Sequence, residues 1–232
     1  MQGKIDTVLR HHLVPATEFI YGYADLTGLL DKEFAEFRYA ICIGKQLDPR
    51  IVESIAEGPT IEYYAHYRSM NSELAALSQA VAEDLINLGI ETRLVEPSVT
   101  TGQLDTIYEK TLRTPLSHKM AATRAGLGWI GKTDLFISKK FGPRLRLVTI
   151  LTNIPLKATS GPIDKSRCGT CNLCVVVCPV GAANGKLWDI TVDRDEFFDA
   201  FKCRLQCAEF GRTRLSMDAR VCGICVAACP LP

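Results

Sequence analysis

The chain has 232 residues, 47% of them apolar, with 27 Lys plus Arg against 26 Asp plus Glu. That length and apolar content suffice for one large domain or two small ones with a packed core, and a near-zero charge balance without runs of one sign argues against a dedicated nucleic-acid or polyanion surface. The N-terminus (MQGKIDTVLRHH) lacks the apolar stretch of a secretion signal and no later run approaches bilayer length, so the sequence reads as a soluble cytoplasmic protein with neither a membrane nor nucleic acid as partner.

Residues 1–31 read as helical, and 37–44 (FRYAICIG) is a short apolar run that suits a buried strand. Cys42 inside that run reads as a small buried hydrophobe. Between residues 62 and 88, Leu74, Leu77, Val81, Leu85 and Leu88 recur at spacings of 3, 4, 4 and 3, which predicts an amphipathic helix ending before Gly89 whose apolar stripe is core. Residues 90–95 predict a second strand, 117–125 a helix, 134–138 a third strand and 144–153 a fourth. Helices and strands thus mix through the first 155 residues, as in an α/β or α+β domain. The turn-rich stretch 157–165 (KATSGPIDK) marks the expected boundary, with one domain over 1–160 and a second over 161–232.

Nine of the ten cysteines lie beyond residue 167 in tight groups, a pattern that fits metal ligation better than a disulfide framework. Cys168, Cys171, Cys174 and Cys178, followed by Pro179, spell C-x2-C-x2-C-x3-C-P, the run in which three thiolates hold one 4Fe-4S cluster and the fourth reaches a second. Cys222, Cys225, Cys229 and Pro230 repeat the latter part, but Ala219 stands where the first cysteine of a full motif would be. Two clusters need eight thiolates and the motifs supply seven, so Cys203 or Cys207 must provide the eighth. Exchange between the motifs assigns Cys168, Cys171, Cys174 and Cys229 to the first cluster, and Cys178, Cys222, Cys225 and one of Cys203 or Cys207 to the second. Zinc is the bland alternative, yet it needs neither a third closely spaced cysteine nor the Cys-Pro ending.

Residues 125–133 (AGLGWIGKT) match both G-x-G-x-x-G and the literal P-loop pattern. A P-loop follows a strand and opens a helix, whereas a helical segment precedes this one and a strand follows it, so neither nucleotide motif has its context. The plain structural alternative is a set of tight-turn glycines with Trp129 packed in a core.

His118 to Lys132 (HKMAATRAGLGWIGK), then Leu135 to Ser138, Phe141-Gly142 and Leu151-Thr152, followed by the cysteine motifs, resemble the epoxyqueuosine reductases and, more distantly, the corrinoid reductive dehalogenases. The resemblance covers about half the chain and the N-terminal third only loosely. It implies an α+β fold, with a nitroreductase-like α/β domain that holds cobalamin followed by a small bacterial-ferredoxin-like domain with two 4Fe-4S clusters. Gly126, Leu127, Gly128, Trp129, Gly131 and Lys132 would line the corrinoid site, glycines allowing close approach to a flat macrocycle. A flavin is the other cofactor that the nitroreductase relation allows. The Lys-Cys context of Cys203 favours it over Cys207 as eighth ligand.

This sequence departs from the family at two points. Pro115 is in place, but Leu112 occupies the position of the aspartate proton donor, and the chain stops three residues after Cys229, where members acting on tRNA continue. A small molecule or a corrinoid protein is therefore the expected substrate, with ferredoxin or flavodoxin as electron donor. Tyr108 and His118 are the candidate catalytic acids, with Glu109 and the patch Tyr63, Tyr64, His66 and Tyr67 as rivals; each of these also has an ordinary packing or capping role. Two functions follow: a reductase whose clusters feed single electrons to a bound corrinoid, or an electron-transfer protein that reduces a partner's corrinoid or other redox centre without a substrate of its own.

Overall fold

The structure is a computed structural model that describes residues 1–99, 105–158 and 160–232. It divides into two compact units, and residue 159 of the turn-rich break lies outside the described residues.

The first unit comprises residues 1–46, 70–127 and 146–163. Helix α1 (Gln2–His12) buries Ile5 and Leu9 one turn apart and carries Arg10 in its last turn, a cation suited to the negative end of a helix. Strands β1 (Phe19–Asp25) and β2 (Tyr39–Gln46) pair antiparallel, with Tyr21 opposite Ile43. Helix α3 (Ile61–Asn87) contributes its later turns, from Met70 on, and β3 (Thr92–Val95) pairs antiparallel with β6 (Leu145–Thr152). The four strands form one sheet in the order β1-β2-β6-β3.

Alternation along these strands makes two cores, as a two-residue period requires. Tyr23, Ile41, Ile43, Val148 and Ile150 pack with Ile5 and Leu9 of α1 and with Leu74, Val81 and Leu85 of α3. Their neighbours Ala24, Ala40, Cys42 and Leu151 belong to the other core, with Leu116 and with Ala121 and Ala125 at helix α5 (His118–Arg124). Leu77 and Leu88 complete the α3 stripe as partly buried residues, so the predicted amphipathic face is the packed one. Helix α4 (Thr106–Thr111), capped by Asp105, has no counterpart in the expected elements.

The expected helix over 1–31 is corrected. Pro15 cannot donate a helical hydrogen bond, and Ile20, Tyr21 and Tyr23 suit an extended chain, so the segment breaks after α1 and becomes β1.

The second unit comprises residues 47–69, 128–145 and 164–232. Its last segment begins close to the expected boundary at 160, but it also draws two stretches from before that point. Asp48 accepts the Arg50 amide at 2.9 Å to cap α2 (Pro49–Glu53). Strands β4 (Gly128–Ile130) and β5 (Phe136–Ser138) form an antiparallel hairpin with Trp129 opposite Ile137. The strand expected from residue 134 starts two residues later because Asp134 takes a left-handed turn conformation, φ 57°. Helices α6 (Leu173–Val176), α7 (Ala200–Arg214) and α8 (Ile224–Ala227) carry or flank the cysteines. Gly211 lets α7 close on the chain, since a Cβ there would sit 2.1 Å from the Ala219 carbonyl oxygen. No helix among the described residues is long and apolar enough to cross a membrane.

Candidate metal centre

Two short helices deliver the thiols. Cys168 and Cys171 lie in the loop that leads into α6, Cys174 lies on α6, and Cys178 follows it. Cys225 lies on α8, flanked by Cys222 and Cys229, and α8 packs against α6. Cys168, Cys171, Cys174 and Cys229 line one cavity of about 120 Å³, which Cys225 also touches and which Leu135, Ile137 and Leu231 wall with apolar surface. Burial, foremost, and then the negative charge of Cys168, Cys229 and Cys171 push the Cys174 thiol above its ordinary pKa. Burial raises Cys229 as well. Cys174 and Cys229, partly buried beside other thiols, resist ionising on their own, and a positively charged iron centre supplies the charge that would let them do so. The donor set therefore suits the cluster implied by the motif.

The second group centres on α7. Cys203 and Cys207 stand one turn apart with sulfurs 4.0 Å from each other. The Cys207 thiol hydrogen-bonds the sulfurs of both Cys203 and Cys222 and is held protonated by them. Those bonds draw Cys203 below its usual value and Cys222 down to about 7. Burial and then the Cys222 and Cys203 charges raise Cys225. The Thr133 hydroxyl bonds both Cys174 and Cys225, one from each group. Cys178 Sγ accepts the Ala182 amide at 3.3 Å, an N–H···S bond of the kind that supports cluster thiolates.

The glycine-rich segment is engaged by the chain itself. A Cβ on Gly126 would meet the Gly161 carbonyl oxygen at 2.6 Å, on Gly128 the Ile137 carbonyl oxygen at 2.0 Å, and on Gly131 the Ile137 side chain at 2.9 Å. Leu127 packs over Gly22. The Trp129 indole N–H donates to Cys168 Sγ at 3.4 Å, and the Arg167 guanidinium lies 5.9 Å from its ring. Lys132 is 3% exposed and donates to the Cys171 carbonyl at 3.0 Å and to Asn172 Oδ1 at 2.7 Å. The missing side chains thus make room for the protein's own backbone at Gly126 and Gly128 and for the Ile137 side chain at Gly131, so the packing of the chain itself accounts for these glycines without a macrocycle.

His118 opens α5 with both ring nitrogens occupied, Nδ1 on Thr149 Oγ1 and Nε2 on the Glu96 carbonyl, each at 2.8 Å. Desolvation, with the Arg146 charge adding, depresses its pKa to about 4, so the ring is neutral near pH 7. Nε2 then carries the proton donated to the carbonyl and Nδ1 accepts from the hydroxyl. Tyr108 is half-buried on α4, and its amide closes the Asp105 cap at 2.7 Å. Glu109 follows it on α4 and is exposed. Leu112 ends α4 in a left-handed conformation. Of the aromatic patch on α3, Tyr63 is buried against Gly223, and His66 Nε2 accepts the Asp48 amide at 3.0 Å. Tyr64 and Tyr67 are half-buried.

Sequence reasoning missed Thr133, Asn172 and Arg144. The Arg144 guanidinium bonds the carbonyls of Cys229 at 2.8 Å, Ala227 at 3.5 Å and Leu231, fixing the last cysteine. Such contacts join distant segments, and no local spacing announces them.

The family described as "4Fe-4S binding domain" matches residues 162–183. Epoxyqueuosine reductase of Leadbetterella byssophila is 32% identical over 124 residues, 50% of this chain and 37% of that protein. A solved reductive dehalogenase, studied for B12-dependent dehalogenation, covers 84% of this chain and 26% of its own at TM-score 0.61 and 20% identity. The epoxyqueuosine reductase of Streptococcus thermophilus covers all of this chain and 66% of its own at TM-score 0.58 and 18% identity. The resemblance read from residues 118–152 and the cysteine motifs is therefore borne out, by sequence for the epoxyqueuosine reductases and by fold for both groups, as is the mixed α/β architecture with a ferredoxin-like segment. The chain matches well under half the length of that curated relative.

Proposed function

We propose that the protein is an iron–sulfur oxidoreductase that handles electrons singly through two 4Fe-4S clusters. Cys168, Cys171, Cys174 and Cys229 would hold the first, and Cys178, Cys203, Cys222 and Cys225 the second. Bound in this way, such clusters each take up and release one electron. The observation that carries the reading is one cavity lined by thiols from both motifs, Cys168, Cys171 and Cys174 from the first and Cys225 and Cys229 from the C-terminal one. The chain's own part is to fix those thiols and exclude water. Thr133 bonds a sulfur of each set, Arg144 fixes the carbonyls beside Cys229, and Leu135, Ile137 and Leu231 shield the cavity.

The acceptor that the geometry supports best is a redox centre on a partner, a corrinoid protein or another, with reduced ferredoxin or flavodoxin as donor. Leu112 offers no proton, both nitrogens of His118 are committed, and the Cβ side of each of Gly126, Gly128 and Gly131 is filled by the chain's own backbone or side chains. The second reading, a corrinoid bound by this chain for reduction of a small substrate, is favoured by the shared fold with a B12-dependent dehalogenase. Adding cobalamin to the anaerobically loaded protein separates the two. An unchanged cobalamin spectrum with reducible clusters supports electron transfer to a partner; conversion to a base-off spectrum supports the corrinoid enzyme.

A further inference from the structure

We infer that Trp129 and Lys132 are positioning residues that hold the first cluster at a higher reduction potential than the second, so that an electron entering either cluster comes to rest on the first. The inference builds on the proposed clusters and concerns which of them is the better acceptor. Trp129 gives Cys168 an N–H···S bond at 3.4 Å. Lys132 places an ammonium in the wall of the cavity lined by all four thiols of the first set, Cys168, Cys171, Cys174 and Cys229, and by Cys225 alone of the second. Its two hydrogen-bond partners there, the Cys171 carbonyl and the Asn172 amide oxygen, are neutral, so the bonds hold the cation in place without cancelling its charge.

The surroundings of the second set differ. Asp134 acts on Cys203 as a nearby negative charge, and Arg214 acts on Cys222 as a positive one, so the two oppose each other. Around the first set, the Arg144 charge acts on Cys229 in the same direction as Lys132. Each electron taken from a one-electron donor adds one negative charge at the site that receives it, and no proton or bond need move. A buried cation and an N–H donor to ligand sulfur both favour that added charge, and a carboxylate opposes it. Lys132 and Asp134 are two residues apart in the loop of the β4–β5 hairpin, so one short turn presents opposite charges to the two sets.

The test is a redox titration of the anaerobically loaded protein with dithionite, followed by electron paramagnetic resonance, for the wild type, Lys132→Gln, Lys132→Arg and Trp129→Phe. Lys132→Gln keeps a donor for Cys171 and Asn172 but removes the charge, and should shift the first couple about tenfold toward oxidation, equivalent to 59 mV for one electron. Lys132→Arg should keep the wild-type value, and Trp129→Phe should shift the same couple in the same direction as Lys132→Gln. The second couple should not move in any variant. Two reducible clusters with the same potentials in all four proteins would overturn the inference alone. A wild type without two reducible clusters would overturn the proposed function beneath it.

Discussion

Cys203 and Cys207 face one another across a single turn of α7, 4.0 Å between sulfurs, with Cys207 bonded as well to Cys222. In the proposed assignment one of them is the eighth ligand, and the other is left as a thiol donor beside it. Cys203→Ala should lose about half the bound iron, one cluster of two, and Cys207→Ala little. Iron per chain after anaerobic loading checks this, and full iron in both variants would refute the ligand assignment.

His118 predicts a dependence on acid. Its folded pKa of about 4 lies below the ordinary 6.5, so at pH values between the two the unfolded chain binds the proton and the folded chain does not. The stabilisation is complete above pH 6.5 and is lost as pH falls toward 4. Because the ring is partly exposed, the contribution is discounted to about 1–2 kcal/mol. Urea unfolding of wild type and His118→Gln at pH 7 and pH 4.5 should show a smaller acid loss in the variant, whose amide can still serve Glu96 and Thr149. The same acid loss in both would remove His118 from the account.

Gly128→Ala should damage the hairpin that carries Trp129. The new methyl would lie 2.0 Å from the Ile137 carbonyl oxygen, which belongs to its own partner strand and cannot step aside. A cost of roughly 3 kcal/mol or more is expected, with poorer iron retention. Gly161→Ala, where nothing lies within 4 Å, is the control and should change little. Thermal unfolding of the two variants gives the comparison, and equal midpoints would contradict it.

What the sequence made legible was local. The α3 stripe follows from spacings of 3 and 4 within one helix, and the first cysteine motif from four thiols within eleven residues of chain. β1 was obscured because it follows α1 after a short proline-containing link, so the two ran together as one helical stretch. β4 was hidden by its glycine, whose reason is a strand partner ten residues on. α7 carries Phe201 and Leu205 exposed and a mixed pattern of charges, so no apolar face marked it. The contacts of Lys132 were hidden for the same reason: its partners, Cys171 and Asn172, lie about forty residues away. A nucleotide or corrinoid pattern was visible in the letters, whereas the contacts that explain those letters were not.

Iron and acid-labile sulfide per chain, measured together with the electron paramagnetic resonance of the dithionite-reduced protein after anaerobic loading, test the central claim most directly. The account predicts about eight of each and two interacting one-electron signals. Zinc in their place, or iron for a single cluster only, would contradict it.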